Sequence, residues 1–190
     1  ARPLKHEHAQ APDFSEARVD ALQRRAFNYF LDHANPANGL VADKSQPGAP
    51  ASIAAVGFAL AVYLVGVERA WMTRTDAITR TLAVLRFFWT SVQGTASDAT
   101  GHKGFYYHFL DMQTGRRVWE RELSTVDTTF LLAGMLTAAA YFEQEAEDET
   151  DMRARVAALY RRVAWWWASY GKSPVPHGVR CQAVFPSVRR

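Results

Sequence analysis

Ser52-Ile53-Ala54-Ala55-Val56-Gly57-Phe58-Ala59-Leu60-Ala61-Val62-Tyr63-Leu64-Val65-Gly66-Val67-Glu68-Arg69 is apolar on every side. A helix with no polar face is normally buried. The run is interrupted by glycine and is too short for the roughly 18 apolar residues that a bilayer span needs. It therefore reads as a helix surrounded by other helices, and the rest of the chain must supply them.

On its N-terminal side, Ser15–His33 repeats Val19, Leu22, Ala26, Phe27, Phe30 and Leu31 at helical spacing. Asp13 and Glu16 resemble a capping box at its start. Asn35-Pro36 and Asn38-Gly39 break the pattern, and a loop over Leu40–Pro50 follows. On the C-terminal side, Thr73 and Asp76 cap a helix to about Ser91. Gly104-Phe105-Tyr106-Tyr107-His108-Phe109-Leu110-Asp111 and the Thr114-Gly115 turn predict a short β-hairpin in the 104–120 loop, returning through Arg117–Glu120. Ser124 or Thr125 caps a further apolar helix to about Gln144, and Thr150 and Asp151 cap another to near Gly171. The expected fold is all-α, with about five long helices whose short turns alternate with longer, motif-bearing loops. Such alternation suits an α/α toroid, in which hairpins circle an axis and long loops gather at one end. No repeat period of 30–40 residues appears, which weakens the reading as a helical-repeat interaction module.

Composition narrows the function classes. The 190 residues are 48% hydrophobic and 22% charged, an ordinary globular balance. The pI of 9.2 comes from the tail: residues 171–190 carry +4 and no acid, leaving −1 for residues 1–170. A nucleic-acid surface needs cations clustered on the folded face, so nucleic acid is not an expected partner; no membrane span is expected either. The single cysteine, Cys181, excludes an internal disulfide framework. His6 and His8 lack a third ligand nearby, so no metal is expected. A Gly-rich phosphate loop, HExxH and a nucleophile elbow are all absent.

The polar residues placed as if for chemistry fall in three segments: 40–45 with Asp43, the aromatic run with His108 and Asp111, and 120–127 with Glu120, Glu122 and Asp127. Two readings stand side by side. Asp127 is a helix N-terminal stabiliser and Glu122 a solvated loop acid; or the two form a carboxylate cluster of the kind glycoside hydrolysis requires. In the second reading His108 and Asp111 bond sugar hydroxyls, and Tyr106, Tyr107 and Trp119 stack on pyranose faces. Against it, single aromatics are more often packing residues.

Three blocks resemble the bacterial glycoamylase-like domain family: Ala51–Leu60 continuing into Gly66–Trp71, Gly104–Asp111, and Glu122–Thr128 with Leu131–Gly134. The family includes endo-β-1,2-glucanases and modules of cyclic β-1,2-glucan synthases. The resemblance implies an α/α toroid of six hairpins, export to the periplasm or outside the cell, and carboxylate chemistry with water, without an organic cofactor. It implies a glycoside hydrolase or transglycosylase acting on a β-glucan, the β-1,2-linked polymer among the candidates. Glu122 and Asp127 fall in the family's acidic motif and are the catalytic candidates. Asp43, Tyr107, His108, Asp111, Trp119 and Glu120 are the substrate-binding candidates.

About five long helices are fewer than six hairpins need. The expected organisation is a flexible arm over 1–12, a truncated glycoamylase-like domain over 13–170 and an atypical basic tail over 171–190. The alternative to an enzyme is thus a truncated, inactive relative serving as a sugar binder or scaffold. Exposed apolar helix faces are expected to drive self-association.

Overall fold

The computed structural model describes residues 15–119 and 122–169. The expectations for the arm, for Asp13, Glu120 and Cys181 and for the tail lie outside the described residues. Five helices of 16 or 17 residues carry the fold: α1 (Glu16–Asp32), α2 (Ile53–Glu68), α3 (Arg74–Thr90), α4 (Thr125–Tyr141) and α5 (Glu147–Arg162). A short α6 (Trp165–Ser169) follows. The bulk is helical as expected, with small sheets among the loops.

Local chemistry sets most of the boundaries. Ser52, Thr73 and Ser124 are the N-caps of α2, α3 and α4, and each side chain accepts an amide hydrogen three residues on. α1 departs from expectation: its N-cap is Ser15, which makes no side-chain cap bond. α5 departs further, because it starts four residues before Asp151. Its N-cap is Ala146, and Glu147, Asp148 and Glu149 fill its first turn against the positive end of the helix dipole. It also ends well before Gly171. Val163 turns extended and the Ala164 amide donates to the Lys103 carbonyl. The tight turn at Gly104 packs there against the Arg162–Val163 backbone.

α2 and α4 lie side by side and point the same way. At their starts, the Ile53 amide donates to the His108 carbonyl and the His108 amide to the Glu122 carbonyl, both at 3.3 Å. At their ends, the Tyr141 hydroxyl donates to Glu68 at 2.5 Å. Between them Gly57 faces Gly134, and a Cβ on either would fall on the other helix's backbone. α3 and α5 pack together behind them and are joined by a two-pronged ion pair from the Arg74 guanidinium to Glu149, at 2.9 and 3.0 Å. The core between the layers includes Leu60, Tyr63, Leu85, Phe88, Met135, Phe142, Met152 and Val156.

The buried helix is buried only in part. Phe58 and Val65 on α2 are 49% and 38% exposed, and Phe130 and Leu136 on α4 are 44% and 45% exposed. The other faces of α2 meet α1, α3 and α4; nothing among the described residues covers this one. Among the described residues, no helix is long and apolar enough to cross a membrane.

The aromatic run is divided between two small antiparallel sheets. β3 (Phe105–Tyr107) lies between β2 (Gly101–His102) and β5 (Leu123–Ser124). β4 (Phe109–Leu110) pairs instead with β1 (Ala51–Ser52). The expected return through Arg117 survives as one bridge to Leu110. These strands deliver residues 105–110 and 123–124 to the shared N-terminal end of α2 and α4.

Candidate active site

His108 sits between β3 and β4, and its backbone is tied to the start of α2 and to Glu122 before β5. Its side chain is placed between two acids. Nδ1 lies 3.8 Å from Glu122 Oε1 and Nε2 lies 3.5 Å from Asp127 Oδ2. The imidazole stacks on Phe109, with centroids 3.9 Å apart and planes 13° from parallel. All three polar side chains are partly open to solvent, at 29%, 32% and 17% exposure in the order His108, Glu122, Asp127.

Asp127 occupies the position that the helix-stabilising reading gives it, and its carboxylate also lies near His108. It lies in the first turn of α4, where its amide donates to Ser124 Oγ and its Oδ2 accepts from that hydroxyl at 2.6 Å. It therefore stabilises the helix start while facing His108. Glu122 has no such local duty: it precedes β5 and shows its carboxylate to solvent and to His108. A carboxylate, an imidazole and a second carboxylate in sequence can hold a proton, share it, and orient a sugar hydroxyl or a water.

The other candidates fall in different places. Tyr107 is fully buried in the central strand β3, with the Arg117 guanidinium 4.4 Å from its ring centroid. It is a core residue and offers no face to a pyranose. Tyr106 is buried likewise; its hydroxyl donates to the Phe88 carbonyl, and burial pushes its phenol up to about 12. Asp111 holds a turn: Oδ1 accepts from the Gln113 amide and from the Thr114 amide and hydroxyl. These bonds, chiefly those of Thr114, keep its carboxyl below the usual range. Asp43 is exposed at the start of the 43–50 loop, where its charge adds to burial in raising the Tyr29 phenol. Glu120 lies outside the described residues. No group of three or more His, Cys, Asp or Glu among the described residues is arranged to hold a metal.

Beside this cluster runs an open cleft of about 830 Å³. It is lined by Lys44–Pro50, by Asp111–Gln113 with Val118 and Trp119, and by Asp32 and His33. Trp119 is 62% exposed and meets Phe109 edge to face at 5.8 Å. Phe109 thus touches both His108 and Trp119, joining the acid cluster to the cleft. Lys44 lies in the 40–45 segment singled out above; Asp32, His33 and Gln46 went unnoticed in the sequence because they are scattered across a helix end and a loop, without a motif spacing.

α2 and α4 run parallel, and the strands and loops at their N-terminal end carry carboxylates and aromatics. The chain is 32% identical over 171 residues to an exo β-1,2-glucooligosaccharide sophorohydrolase (non-reducing end) of Parabacteroides distasonis, a match covering 86% of this chain and 22% of that protein. Among solved structures, it matches a glucoamylase-like protein of Bacteroides uniformis with TM-score 0.73 and 28% identity, over 85% of this chain and 39% of that one. It matches a β-1,2-glucanase of Parabacteroides distasonis with TM-score 0.71 and 28% identity, over 86% of this chain and 23% of that one. No protein-family model matches the chain. The chain is a homologue of glycoamylase-like proteins and β-1,2-glucan hydrolases, and it spans well under half the length of these relatives.

Proposed function

We propose that the chain is part of a glycoside hydrolase acting on β-1,2-linked glucan, and that its helices form an arc of an α/α toroid with α2 and α4 on the inner side. The observation that carries this reading is the meeting of Glu122, His108 and Asp127 at the common N-terminal end of α2 and α4, in a chain homologous to β-1,2-glucan hydrolases. Glu122 is the carboxyl that meets the substrate, since it is accessible and has no capping duty. Asp127, fixed by Ser124, and His108 between the two acids hold that carboxyl in place. Hydrolysis of a glycosidic bond needs a second carboxyl, about 5–5.5 Å away for retention or about 6.5–9.5 Å for inversion.

A second reading, a non-catalytic sugar binder or scaffold, is favoured by one observation. The chain spans only 22% of the sophorohydrolase, and hydrolysis needs two carboxyls at a set spacing. Incubation with linear β-1,2-glucan and measurement of new reducing ends separates the two. Product that disappears in Glu122→Gln supports the hydrolase. Retained oligosaccharide binding without product supports the second reading.

A further inference from the structure

Asn38-Gly39 is the one Asn-Gly pair in the sequence, and no Asp-Gly pair occurs. Such a pair is chemically unstable. Once deprotonated, the backbone nitrogen after an asparagine can attack the side-chain amide carbon, and glycine, lacking a Cβ, hinders that attack least. The other two asparagines are poor candidates. Asn28 precedes Tyr29 inside α1, and Asn35 precedes Pro36, which has no N–H to lose.

The fold holds the pair in a form that blocks the attack. Gly39 is buried, and its amide donates to the Asn35 carbonyl at 2.7 Å. The Asn38 carboxamide is engaged at both ends: Oδ1 accepts from the Leu40 amide and Nδ2 donates to the Met112 carbonyl, each at 3.0 Å. The proton that the reaction must remove is therefore sequestered until this turn opens, and local opening sets how long such protection lasts.

The same carboxamide has a tertiary duty. The Met112 carbonyl accepts from Asn35 Nδ2 at 2.8 Å and from Asn38 Nδ2 at 3.0 Å. These two bonds tie the corner after α1 to the turn over 111–115. A carboxylate at position 38 has no hydrogen to donate. It would set an oxygen against the Met112 carbonyl and leave Asn35 to hold the tie alone.

We propose that Asn38 is a site of spontaneous, one-way deamidation, gated by opening of the 35–40 turn, and that its product loosens the 111–115 turn. Hydroxide takes the Gly39 amide proton, the nitrogen bonds to Asn38 Cγ, and the side-chain nitrogen leaves as ammonia after taking a proton from water. Water then adds to either carbonyl of the resulting succinimide and opens the ring, leaving aspartate or isoaspartate at position 38. The isoaspartate also lengthens the backbone by one carbon beside Gly39, where Val84 already fills the space that a Cβ would need.

The test is incubation of the whole chain in warm, mildly alkaline buffer, followed by mass spectrometry of the peptide that trypsin releases between Arg25 and Lys44. Conversion is expected at Asn38 and not at Asn28 or Asn35, and roughly tenfold or more slowly in the folded chain than in the chain unfolded by urea. Asn35→Ala removes one of the two bonds to Met112 and should speed conversion several-fold, with circular dichroism showing that the variant is folded. Urea below the unfolding midpoint should speed it likewise in the parent chain, whether or not the variant folds. Asn38→Asp supplies the product directly and should raise amide hydrogen exchange across residues 111–116. Equal rates in the folded and unfolded chains, conversion at Asn28 as fast as at Asn38, or an Asn38 that stays intact in the folded chain even in sub-denaturing urea overturns the site. Unchanged exchange over 111–116 in Asn38→Asp overturns its link to that turn.

Discussion

Asp127 and Glu149 are both acids in the first turn of a helix, and the fold uses them differently. Asp127 stays partly exposed, bonded to Ser124 and facing His108. Replacing it with Ala removes a first-turn charge worth about 0.3–1 kcal/mol. A fall in thermal stability of that size, alongside lost hydrolysis, separates its two duties. Glu149 is 1% exposed. Burial alone would raise its carboxyl, but the Arg74 guanidinium and the Gln144 amide outweigh this and hold it below the ordinary 4.5. Because the folded value lies below the unfolded one, this stabilisation is complete above about pH 4.5 and fades as pH falls through the lowered value. Glu149→Ala leaves Arg74 unpaired, at a cost near the lower end of roughly 3–5 kcal/mol, since Arg74 is itself partly exposed. Unfolding of the variant should then lose the parent's acid sensitivity in that range; equal acid sensitivity would count against the pair. Asp127 was legible in the sequence because capping is local. The Arg74–Glu149 pair was not, because its members are 75 residues apart.

At the scale of elements, Gly57 and Gly134 decide how closely α2 and α4 approach. In the sequence they look like flaws in apolar helices. In the structure a Cβ on Gly57 would strike the Phe130–Leu131 backbone of α4, and one on Gly134 would strike the Gly57 backbone of α2. Gly57→Ala and Gly134→Ala should each destabilise by about 1–3 kcal/mol or more, as overpacking does. Gly94→Ala, with open space around its Cβ, should move the midpoint of thermal unfolding little. The helices themselves were readable from period and caps, and α3 matches its expected span within a residue or so. α5 was misjudged at both ends for tertiary reasons. Its start follows Glu149, which reaches a distant arginine, and its end follows the docking of the 103–104 turn. The aromatic run was read as one hairpin because alternation says nothing about which strand pairs with which.

For the whole molecule, Phe58, Val65, Phe130 and Leu136 form an exposed apolar face on α2 and α4. Phe58 and Phe130 already pack against each other across it, at 5.3 Å. Self-association through this face is the expected behaviour of the chain in isolation. Sedimentation should detect species larger than a monomer at micromolar concentration, and Phe58→Ser with Leu136→Ser should return them to monomer. A well-folded monomer of the parent chain would count against the expectation. The order of helices and the three motif blocks were visible from sequence; the open face was not, because an apolar helix reads as buried whatever part of its cover is at hand.

The pairing of α2 with α4 also sets a timetable during synthesis. α2 is complete at Glu68, whereas its principal neighbour ends at Tyr141. At roughly 5–20 residues per second, α2 waits several seconds for that neighbour to be made. Through that interval a glycine-containing apolar helix has only α1 and α3 to shelter it, and its contacts with α4 are of long sequence range and slow to close. The nascent chain should therefore be most vulnerable to chaperone capture and to aggregation after α3 emerges and before α4 does, and codon changes that prolong this window should lower soluble yield without changing a single residue.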